Sequence, residues 1–270
     1  MAATDPKLEK LRSIIRSTGS AAVAFSGGSD STLVARVARD ELGERAVAVT
    51  IDSPLFTRSE LKDAKTLART LGIKHIVVRS DPLDNPAFNR NPPDRCYMCK
   101  LIGFKEVRRV ADDLSLEHVL DGSNSDDEKA YRPGSRAKEE LGVRSPLVEA
   151  GLTKEDVVRI SKRLRLPTHG KDPSPCLATR VPYGDPLTVE LLRRIEKAEE
   201  QLARRGFRQV RVRTHGGTAR IEVSKDQVRR LLQPSVGDET VRRLKSLGFT
   251  YVTVDLEGYR SGSMDEVLGR

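Results

Sequence analysis

The stretch Ser26-Gly27-Gly28-Ser29-Asp30-Ser31 lies between two apolar segments and is the most informative part of this sequence. The segment before it, residues 21–25, is short and continuously apolar, which is typical of a buried parallel strand. The segment after it keeps helical spacing through Leu33, Val34 and Val37. The stretch therefore predicts a tight loop that joins a strand to the first turn of a helix.

This loop is suited to binding phosphate groups. Gly27 and Gly28 let the backbone turn sharply, and without a Cβ their N–H groups can approach an anion closely. The following helix directs its unpaired N–H groups and the positive end of its dipole to the same place. Ser26 and Ser31 add hydroxyl donors, and we expect Asp30 to hold the Mg²⁺ that accompanies a nucleotide polyphosphate. A plain turn with Asp30 and Ser31 as helix caps is the alternative, but it does not explain the order of the whole stretch.

The loop is not one of the two commonest nucleotide-binding motifs. It lacks the lysine of Gly-x-x-x-x-Gly-Lys-Ser/Thr loops, and the pattern Gly-x-Gly-x-x-Gly is absent. It resembles the SGGxDS signature of the PP-loop ATP pyrophosphatases, which have the adenine nucleotide α-hydrolase-like fold. The resemblance implies an enzyme that cleaves ATP to AMP and pyrophosphate and activates an acyl or amide oxygen as its adenylate.

Strand-like and helix-like segments alternate through the first half of the chain. Further strands are predicted at 46–51, 75–78 and 118–120, with helices at 59–71 and 100–114. Because no short hairpin turns join these strands, the pattern predicts an α/β fold with a parallel twisted sheet covered by helices on both faces. Ligands bind such sheets at the carboxyl ends of the strands. The residues expected to contact ATP are Ser26, Gly27, Gly28, Ser29, Asp30, Ser31, Asp52, Ser53 and Gly122, with Asp30 also predicted as the Mg²⁺ ligand and a catalytic residue.

The order of elements changes after residue 184. Helices are predicted at 188–205, 225–232 and 238–247, and strands at 210–212, 219–223 and 251–254. The first two strands are joined through His215-Gly216-Gly217, which predicts an antiparallel hairpin. We therefore expect a PP-loop domain over 1–165, a linker over 166–186, and a smaller α+β domain over 187–270 that serves substrate binding or oligomerisation.

Composition narrows the class of partner. The chain has 48 Lys and Arg against 39 Asp and Glu, a formal net charge of +9, which suits a polyanion such as a nucleotide or RNA. The charges are interspersed, and the absence of tryptophan leaves little for base stacking, so nucleic acid is not the favoured partner. No stretch of about 18 apolar residues occurs, and the N-terminus lacks an apolar signal core. We expect a cytoplasmic protein without a membrane partner.

Three cysteines form a second constellation. Cys96 and Cys99 make a Cys-x-x-Cys pair at a predicted helix start, and Cys176 lies on the predicted linker. An odd count in a cytosolic chain argues against disulfides. The pair alone is compatible with redox chemistry, with zinc held together with Cys176 and His169, or with iron–sulfur ligation. Three cysteines without a fourth suit a cubane cluster in which one iron has no protein ligand.

With these cysteines the chain resembles the LarE family. Its members are ATP-dependent pyridinium-3,5-biscarboxylic acid mononucleotide sulfurtransferases, which serve synthesis of the nickel-pincer nucleotide cofactor of lactate racemase. The resemblance is carried by the SGGxDS loop and by residues 95–100, 121–124, 126–127, 131–134, 171–184, 211–213, 215–216 and 255–262. These stretches span nearly the whole chain.

The resemblance implies a mechanism and a source of sulfur. A substrate carboxylate is adenylated, sulfur attacks, and AMP leaves to give a thiocarboxylate. In some members the cysteine equivalent to Cys176 gives up its own sulfur and ends as dehydroalanine. Other members hold a [4Fe-4S] cluster through three cysteines, and its open iron carries an extra sulfide. The presence of Cys96 and Cys99 beside Cys176 favours the cluster type here, with Cys176 as a catalytic residue, and sacrificial donation from Cys176 is the alternative.

The same resemblance implies the substrate site and the partners. Arg180, Arg211 and Arg213 are expected to bind the substrate phosphate, which a guanidinium grips with two hydrogen bonds, and Glu128 is a further substrate-binding candidate. For Arg211 and Arg213 a strand with one solvated face is the alternative. We expect a nucleotide substrate, a sulfide or sulfur-donor system, contact with other nickel-pincer cofactor biosynthesis proteins, and a homo-oligomer.

Two other functions fit parts of the pattern. A PP-loop tRNA thiolase would also pair adenylation with sulfur transfer and would explain the net charge, but the terminal Cys-x-x-Cys modules typical of some such enzymes are missing. A non-catalytic nucleotide sensor or zinc-stabilised RNA-binding module is the alternative from another class. Substrate-dependent release of pyrophosphate separates these functions.

Overall fold

The computed structural model describes residues 5–129, 134–170 and 175–266. The chain divides into two compact units. Unit 1 comprises Met1–Pro82 and Asp94–Ser174, and unit 2 comprises Leu83–Pro93 and Pro175–Arg270. The domain boundaries expected from the sequence, at 165/166 and 186/187, stay predictions.

The helices and strands follow one another in a largely alternating order. Within the described residues the helices are α1 Pro6–Arg16, α2 Ser29–Leu42, α3 Arg58–Leu71, α4 Pro86–Asn89, α5 Arg95–Asp113, α6 Ser125–Lys129, α7 Ser135–Glu140, α8 Pro146–Glu149, α9 Lys154–Arg163, α10 Val189–Arg204, α11 Val228–Leu231 and α12 Pro234–Ser246. The strands are β1 Ala21–Ala24, β2 Ala46–Asp52, β3 Lys74–Arg79, β4 His118–Leu120, β5 Arg211–His215, β6 Thr218–Glu222 and β7 Tyr251–Val254. None of these helices is long and apolar enough to cross a membrane.

Unit 1 contains a four-stranded parallel sheet in the order β3-β2-β1-β4. Successive residues of β1 point to opposite faces, as pleated strands require. Ala21 and Val23 join one apolar cluster with residues of α1, α2, α3 and α9, whereas Ala22 joins another with Val107 and Val110 of α5. Because both faces of β1 are covered, its residues are small and apolar rather than alternating with polar ones. The predicted parallel sheet with helices on both faces is confirmed.

Unit 2 contains a small mixed sheet in the order β5-β6-β7. β5 and β6 form the predicted antiparallel hairpin around Gly216, where φ is +57°. β7 then pairs with β6 in parallel. Residues of α10 and α12, including Leu202 and Leu244, pack with Val212 and Ile221 of the sheet. The predicted α+β character of this part of the chain is confirmed.

Several helical segments differ from the sequence-based prediction. The helix predicted at 100–114 begins five residues earlier, at Arg95, so that Cys96 and Cys99 lie in its first turns. Helices α1 and α9 were not predicted, although both carry N-cap signals. Asp5 accepts hydrogen bonds from the backbone of the first turn of α1, and Thr153 forms a capping box with Asp156 at the start of α9.

Candidate active site

A cavity of about 430 Å³ opens in unit 1 at the carboxyl ends of β1 and β2. Its apolar wall comes from Phe25, Ile51, Phe56, Phe104 and Val107, and its polar lining includes Ser26, Gly28, Ser29, Asp30, Asp52, Ser53 and Lys154. An apolar wall suits an aromatic base, and a polar floor at a helix start suits the phosphates joined to it. The cavity thus lies at the predicted edge of the sheet.

The loop after β1 is held in shape by its own residues. Gly27 has a φ of +73°, and a Cβ there would lie 3.3 Å from Cα of Ala64 on α3. The hydroxyl oxygens of Ser26 and Ser31 are 3.1 Å apart, and Ser31 donates to the carbonyl of Gly28. Gly28 provides no side-chain cap for α2. The first turn of α2 thus lacks a side-chain cap at Gly28, and Gly28, Ser29 and Asp30 line the cavity. An anion bound there would accept hydrogen bonds from the N–H groups of a helix start.

Asp30 is held at both carboxylate oxygens. Its Oδ1 accepts a hydrogen bond of 3.0 Å from Nδ2 of Asn124, which follows β4. Its Oδ2 accepts from the Ser29 hydroxyl at 3.1 Å and from the ammonium group of Lys154. Lys154 was not predicted from the sequence, and Asn124 was named only within the stretch 121–124, without a role of its own. The capping box at Thr153 marks a helix start and would have placed Lys154 on the first turn of a helix.

Gly122 allows the segment after β4 to pack closely against the start of α2. A Cβ at this position would lie 2.8 Å from the backbone nitrogen of Ser31 and 3.0 Å from its Cα. The chain after β4 therefore packs directly on the first turn of α2, and only glycine allows this approach. The predicted contact of Gly122 with ATP stays a prediction.

Replacing Gly122 by alanine is expected to lower the free energy of unfolding by about 1–3 kcal/mol, because backbone atoms must move to admit the methyl group. Urea denaturation followed by circular dichroism measures this change. Gly170→Ala is the control, since a Cβ there meets nothing within 4 Å. Equal stabilities of the two variants would contradict the close packing at Ser31.

Asp52 and Ser53 line the cavity where β2 ends. Asp52 accepts a hydrogen bond of 2.7 Å from Arg58 on α3, and Ser53 is buried and accepts from the backbone of Leu55. Both positions agree with the expected placement at the carboxyl end of the sheet. A contact with the adenosine stays a prediction for both residues.

Thr50, which lines the cavity, takes part in a short chain of hydrogen bonds. The Thr50 hydroxyl donates to the carbonyl of Phe25 at 2.6 Å, and Nε2 of His75 lies 2.8 Å from the same hydroxyl oxygen. Since this hydroxyl proton is used on Phe25, Nε2 of His75 carries the proton that it donates to Thr50. Burial lowers the pKa of His75, and the positive charge of Lys65 adds to the shift. His75 is therefore neutral in the folded protein near neutral pH.

This lowered pKa predicts the direction of a pH effect on stability. The unfolded chain takes up a proton at His75 below the ordinary pKa of about 6.5, whereas the folded protein does so only at a lower pH. The stability that His75 contributes is therefore fully present above the ordinary pKa of about 6.5. It is lost as the pH falls from there through the lower pKa of the folded protein. Between pH 7.5 and 5.5 the free energy of unfolding should decrease less in His75→Gln than in the wild-type protein, because glutamine keeps a hydrogen-bond donor but does not titrate. Urea denaturation at the two pH values measures this difference. An equal loss in both proteins would contradict the prediction.

The cysteines of unit 1 lie in the first turns of α5. Cys96 is exposed, whereas Cys99 is half-buried and lines the cavity. In unit 2, Cys176 is half-buried directly before a 3₁₀ turn at Leu177–Arg180. Across residues 5–129, 134–170 and 175–266, no group of three or more His, Cys, Asp or Glu side chains is arranged to hold a metal ion. The predicted iron–sulfur ligation therefore stays a prediction.

Arg180 fastens the segment that carries Cys176. Its side chain is 2% exposed and donates through Nε and one terminal nitrogen to the two carboxylate oxygens of Glu199, at 2.9 and 3.0 Å. The other terminal nitrogen donates to the carbonyls of Pro175 and Cys176 at 2.6 and 3.1 Å. Such a bidentate pair fixes the guanidinium plane. The backbone at Cys176 is thereby tied to α10.

The three predicted phosphate-binding arginines lie near one another in unit 2. Arg213 is 5% exposed and pairs with the fully buried carboxylate of Glu222. Arg211 lies over the Tyr259 ring at 5.2 Å. Burial lowers the pKa of Arg211, and the positive charge of Arg180 adds to this effect. The expected alternative of a strand with a solvated face is wrong for β5, since Arg213 is buried, but phosphate binding by the three arginines stays a prediction.

Glu128 lies on α6, and its side chain falls outside the described residues. The same holds for residues 131–133 and 171–174, which belong to two of the stretches that carry the family resemblance. The role of Glu128 in substrate binding therefore stays a prediction.

A phosphate-binding loop at the carboxyl edge of a parallel sheet, beside an apolar cavity, defines a PP-loop enzyme that uses ATP. The family model described as NAD synthase matches residues 7–93. The chain is 40% identical over 247 residues to the pyridinium-3,5-bisthiocarboxylic acid mononucleotide synthase of Lactiplantibacillus plantarum, which covers 91% of this chain and 89% of that protein. An uncharacterized protein of Synechocystis sp. is 44% identical over 98% of both chains. A glutamine-hydrolyzing GMP synthase of Aeropyrum pernix is 27% identical over 71% of this chain and 41% of that protein.

The chain belongs to the family of pyridinium-3,5-bisthiocarboxylic acid mononucleotide synthases. This membership confirms the resemblance inferred from the sequence motifs. It also confirms the predicted class, an ATP-dependent sulfurtransferase of the PP-loop superfamily.

Proposed function

We propose that this enzyme adenylates a carboxylate of pyridinium-3,5-biscarboxylic acid mononucleotide and replaces the activated oxygen by sulfur. The products are a thiocarboxylate, AMP and pyrophosphate. One observation carries the proposal most strongly: the cavity joins an apolar wall, a phosphate-binding loop and the half-buried thiol of Cys99 within unit 1. The name of the relative from Lactiplantibacillus plantarum supports this choice of substrate.

ATP binding follows from the division of the cavity. The purine ring lies against the apolar wall near Phe104 and Val107, and the phosphates lie at the loop 26–31, where the N–H groups of α2 and the serine hydroxyls donate to them. Asp30 supplies a carboxylate oxygen for Mg²⁺, which prefers such hard ligands. We assign the ribose to Asp52 and Ser53, which line the cavity at the end of β2.

The reaction consists of two displacements. In the first, a carboxylate oxygen of the substrate forms a bond to the α-phosphorus, and the bond from that phosphorus to pyrophosphate breaks. In the second, sulfur forms a bond to the acyl carbon, and the bond to the AMP oxygen breaks. The loop stabilises the pyrophosphate that leaves in the first step, since donors aimed at developing charge lower the barrier. We assign the substrate phosphate to Arg180, Arg211 and Arg213 of unit 2, whose planar guanidinium groups offer paired hydrogen-bond donors.

We assign the sulfur source to an iron–sulfur cluster held by Cys96, Cys99 and Cys176. The thiols fit this role because none is fully buried and because the chain offers three cysteines and no fourth. When bound, such a cluster supplies sulfide to the acyl adenylate. Arg180 supports this assignment within unit 2, because it restrains the backbone at Cys176 through the carbonyls of Pro175 and Cys176.

Sacrificial donation from Cys176 is the second candidate. It needs a single cysteine, and Cys176 is half-buried directly before the 3₁₀ turn at Leu177–Arg180. In this case Sγ of Cys176 attacks the acyl carbon and displaces AMP. The Cα proton of Cys176 is then lost to solvent as the Cβ–Sγ bond breaks, which releases the thiocarboxylate and leaves Cys176 as dehydroalanine. Both candidates share the adenylating loop. We propose three partners: a sulfide or sulfur-donor system, further proteins of nickel-pincer cofactor synthesis, and a second copy of this chain.

The proposal is tested by incubating anaerobically purified enzyme with Mg²⁺-ATP and the dicarboxylate nucleotide. We expect pyrophosphate release that requires the substrate and a product whose mass reflects replacement of oxygen by sulfur. Pyrophosphate release that is independent of the nucleotide, or that requires tRNA instead, would contradict the proposed substrate. The family relationship over 91% of the chain favours the nucleotide over tRNA.

A further inference from the structure

Lys154 contacts the phosphate-binding loop but has no part in the proposed reaction steps. It is the first residue of α9 and lines the cavity. Its ammonium group forms an ion pair with Oδ2 of Asp30 and lies 2.7 Å from the hydroxyl oxygen of Ser29. A single cation therefore contacts both side chains at the start of α2.

The backbone of Lys154 is fixed independently of this ion pair. Its N–H donates to a carboxylate oxygen of Asp126 at 2.8 Å, and the Thr153 capping box closes the first turn of α9. Asp126 in turn donates its own N–H to Asn124, the residue that also donates to Asp30. The amide of Asn124 and the ammonium of Lys154 are thus presented to Asp30 from one connected group of residues.

The ammonium group of Lys154 occupies the position at the Asp30 carboxylate that a metal ion would take. Oδ1 accepts from Asn124, and Oδ2 faces the ammonium of Lys154. A divalent cation binding at Oδ2 must displace this ammonium, since two cations repel at such short distance. The side chain of Lys154 is 43% exposed, so it is able to move along the cavity wall. The nearest new partner for it is the anion that the metal brings to the loop.

We propose that Lys154 is a phosphate-binding residue that exchanges places with the divalent cation. In the nucleotide-free protein its ammonium neutralises Asp30. When Mg²⁺-ATP binds, Mg²⁺ takes the Asp30 oxygen, and Lys154 transfers its ammonium to the β- and γ-phosphates and later to the departing pyrophosphate. The exchange rests on the proposed function, because it needs ATP at the loop 26–31. In this exchange the Asp30 carboxylate faces a cation both before and after Mg²⁺-ATP binds.

The exchange predicts two effects of opposite sign for Lys154→Met. Affinity of the nucleotide-free protein for Mn²⁺, measured by electron paramagnetic resonance, should rise about three- to fivefold, because the competing ammonium is gone. Affinity for Mg²⁺-pyrophosphate, measured by calorimetry, should fall at least about tenfold, because a charge-assisted hydrogen bond to the phosphate is lost. Lys154→Arg keeps the cation and should stay near the wild-type value in both measurements.

Lys7→Met is the matched control. Lys7 of α1 pairs with Asp156 of α9, so its removal deletes one cation and one ion pair of α9 without touching the loop. This control should change neither affinity, and thermal unfolding should show that all variants fold. Unchanged Mn²⁺ and pyrophosphate affinities in folded Lys154→Met would overturn the exchange, as would a fall in both. A wild-type protein that binds no Mg²⁺-ATP would contradict the proposed function instead, and the Mn²⁺ affinities would still decide whether Lys154 masks Asp30.

Discussion

Asp30→Asn is expected to lower substrate-dependent pyrophosphate release by about 100-fold or more. Asparagine keeps the size of the side chain and an oxygen toward Asn124, but it removes the negative charge that attracts Mg²⁺. Loss of one charge-stabilising group at a reacting centre costs about a factor of 10² to 10³ in rate. A coupled assay for pyrophosphate, run over a range of Mg²⁺ concentrations, measures the effect.

Asp40→Asn provides the control for this prediction. Asp40 lies on the same helix, α2, but pairs with Arg36 at the surface, far along the helix from the loop. Its substitution should leave pyrophosphate release within about a factor of two, the usual effect of removing an exposed ion pair. Asp30→Asn enzyme with wild-type activity would show that the carboxylate is not a metal ligand.

Cys96→Ser is expected to abolish thiocarboxylate formation while leaving pyrophosphate release intact. If Cys96, Cys99 and Cys176 hold a cluster, the loss of one thiolate removes iron and sulfide from the protein and stops sulfur transfer. Adenylation depends on the loop 26–31 and should continue. Iron and sulfide analysis of the anaerobically purified variant, together with mass spectrometry of the product, measures both parts of the prediction.

The control and the competing mechanism make the cysteine experiment decisive. Met98→Leu changes a residue between the two cysteines without removing a thiol, and it should keep both iron and sulfur transfer. Sacrificial donation predicts a different result, in which Cys96→Ser is fully active for one turnover and the wild-type protein loses the mass of one H₂S at Cys176. That result would contradict the cluster, and it would leave the adenylation step unaffected.

The sheet and the loop could be predicted because their signals are local. An apolar strand followed by SGGxDS already combines buried strand, tight turn and helix start in one stretch. The parallel order followed from the absence of short hairpins before residue 184. The same local rules predicted the β5–β6 hairpin through its two glycines.

The contacts of the site that the sequence did not predict are formed between residues far apart in the chain. Lys154 meets Asp30 across 124 positions of the chain, and Asn124 meets it across 94. No periodicity in either segment reports such a pairing. The burial of Arg213 in unit 2 could not be predicted either, because its alternation with Val212 is equally compatible with a solvated side chain. In the folded protein Arg213 is buried and donates hydrogen bonds to the Glu222 carboxylate and the Thr179 carbonyl. Buried charges are paired, but the identity of the partner is a property of the fold.

In the proposed reaction ATP activates a substrate carboxylate as its adenylate, and an oxygen label in that carboxylate can follow the transferred atom. The substrate is prepared with ¹⁸O in its carboxyl groups and converted by the enzyme in the presence of Mg²⁺-ATP. We expect one ¹⁸O atom in the phosphate of the AMP, because the bond from the carboxylate oxygen to the α-phosphorus persists when sulfur displaces AMP. Formation of ADP, or AMP that carries no ¹⁸O while thiocarboxylate is produced, would contradict it.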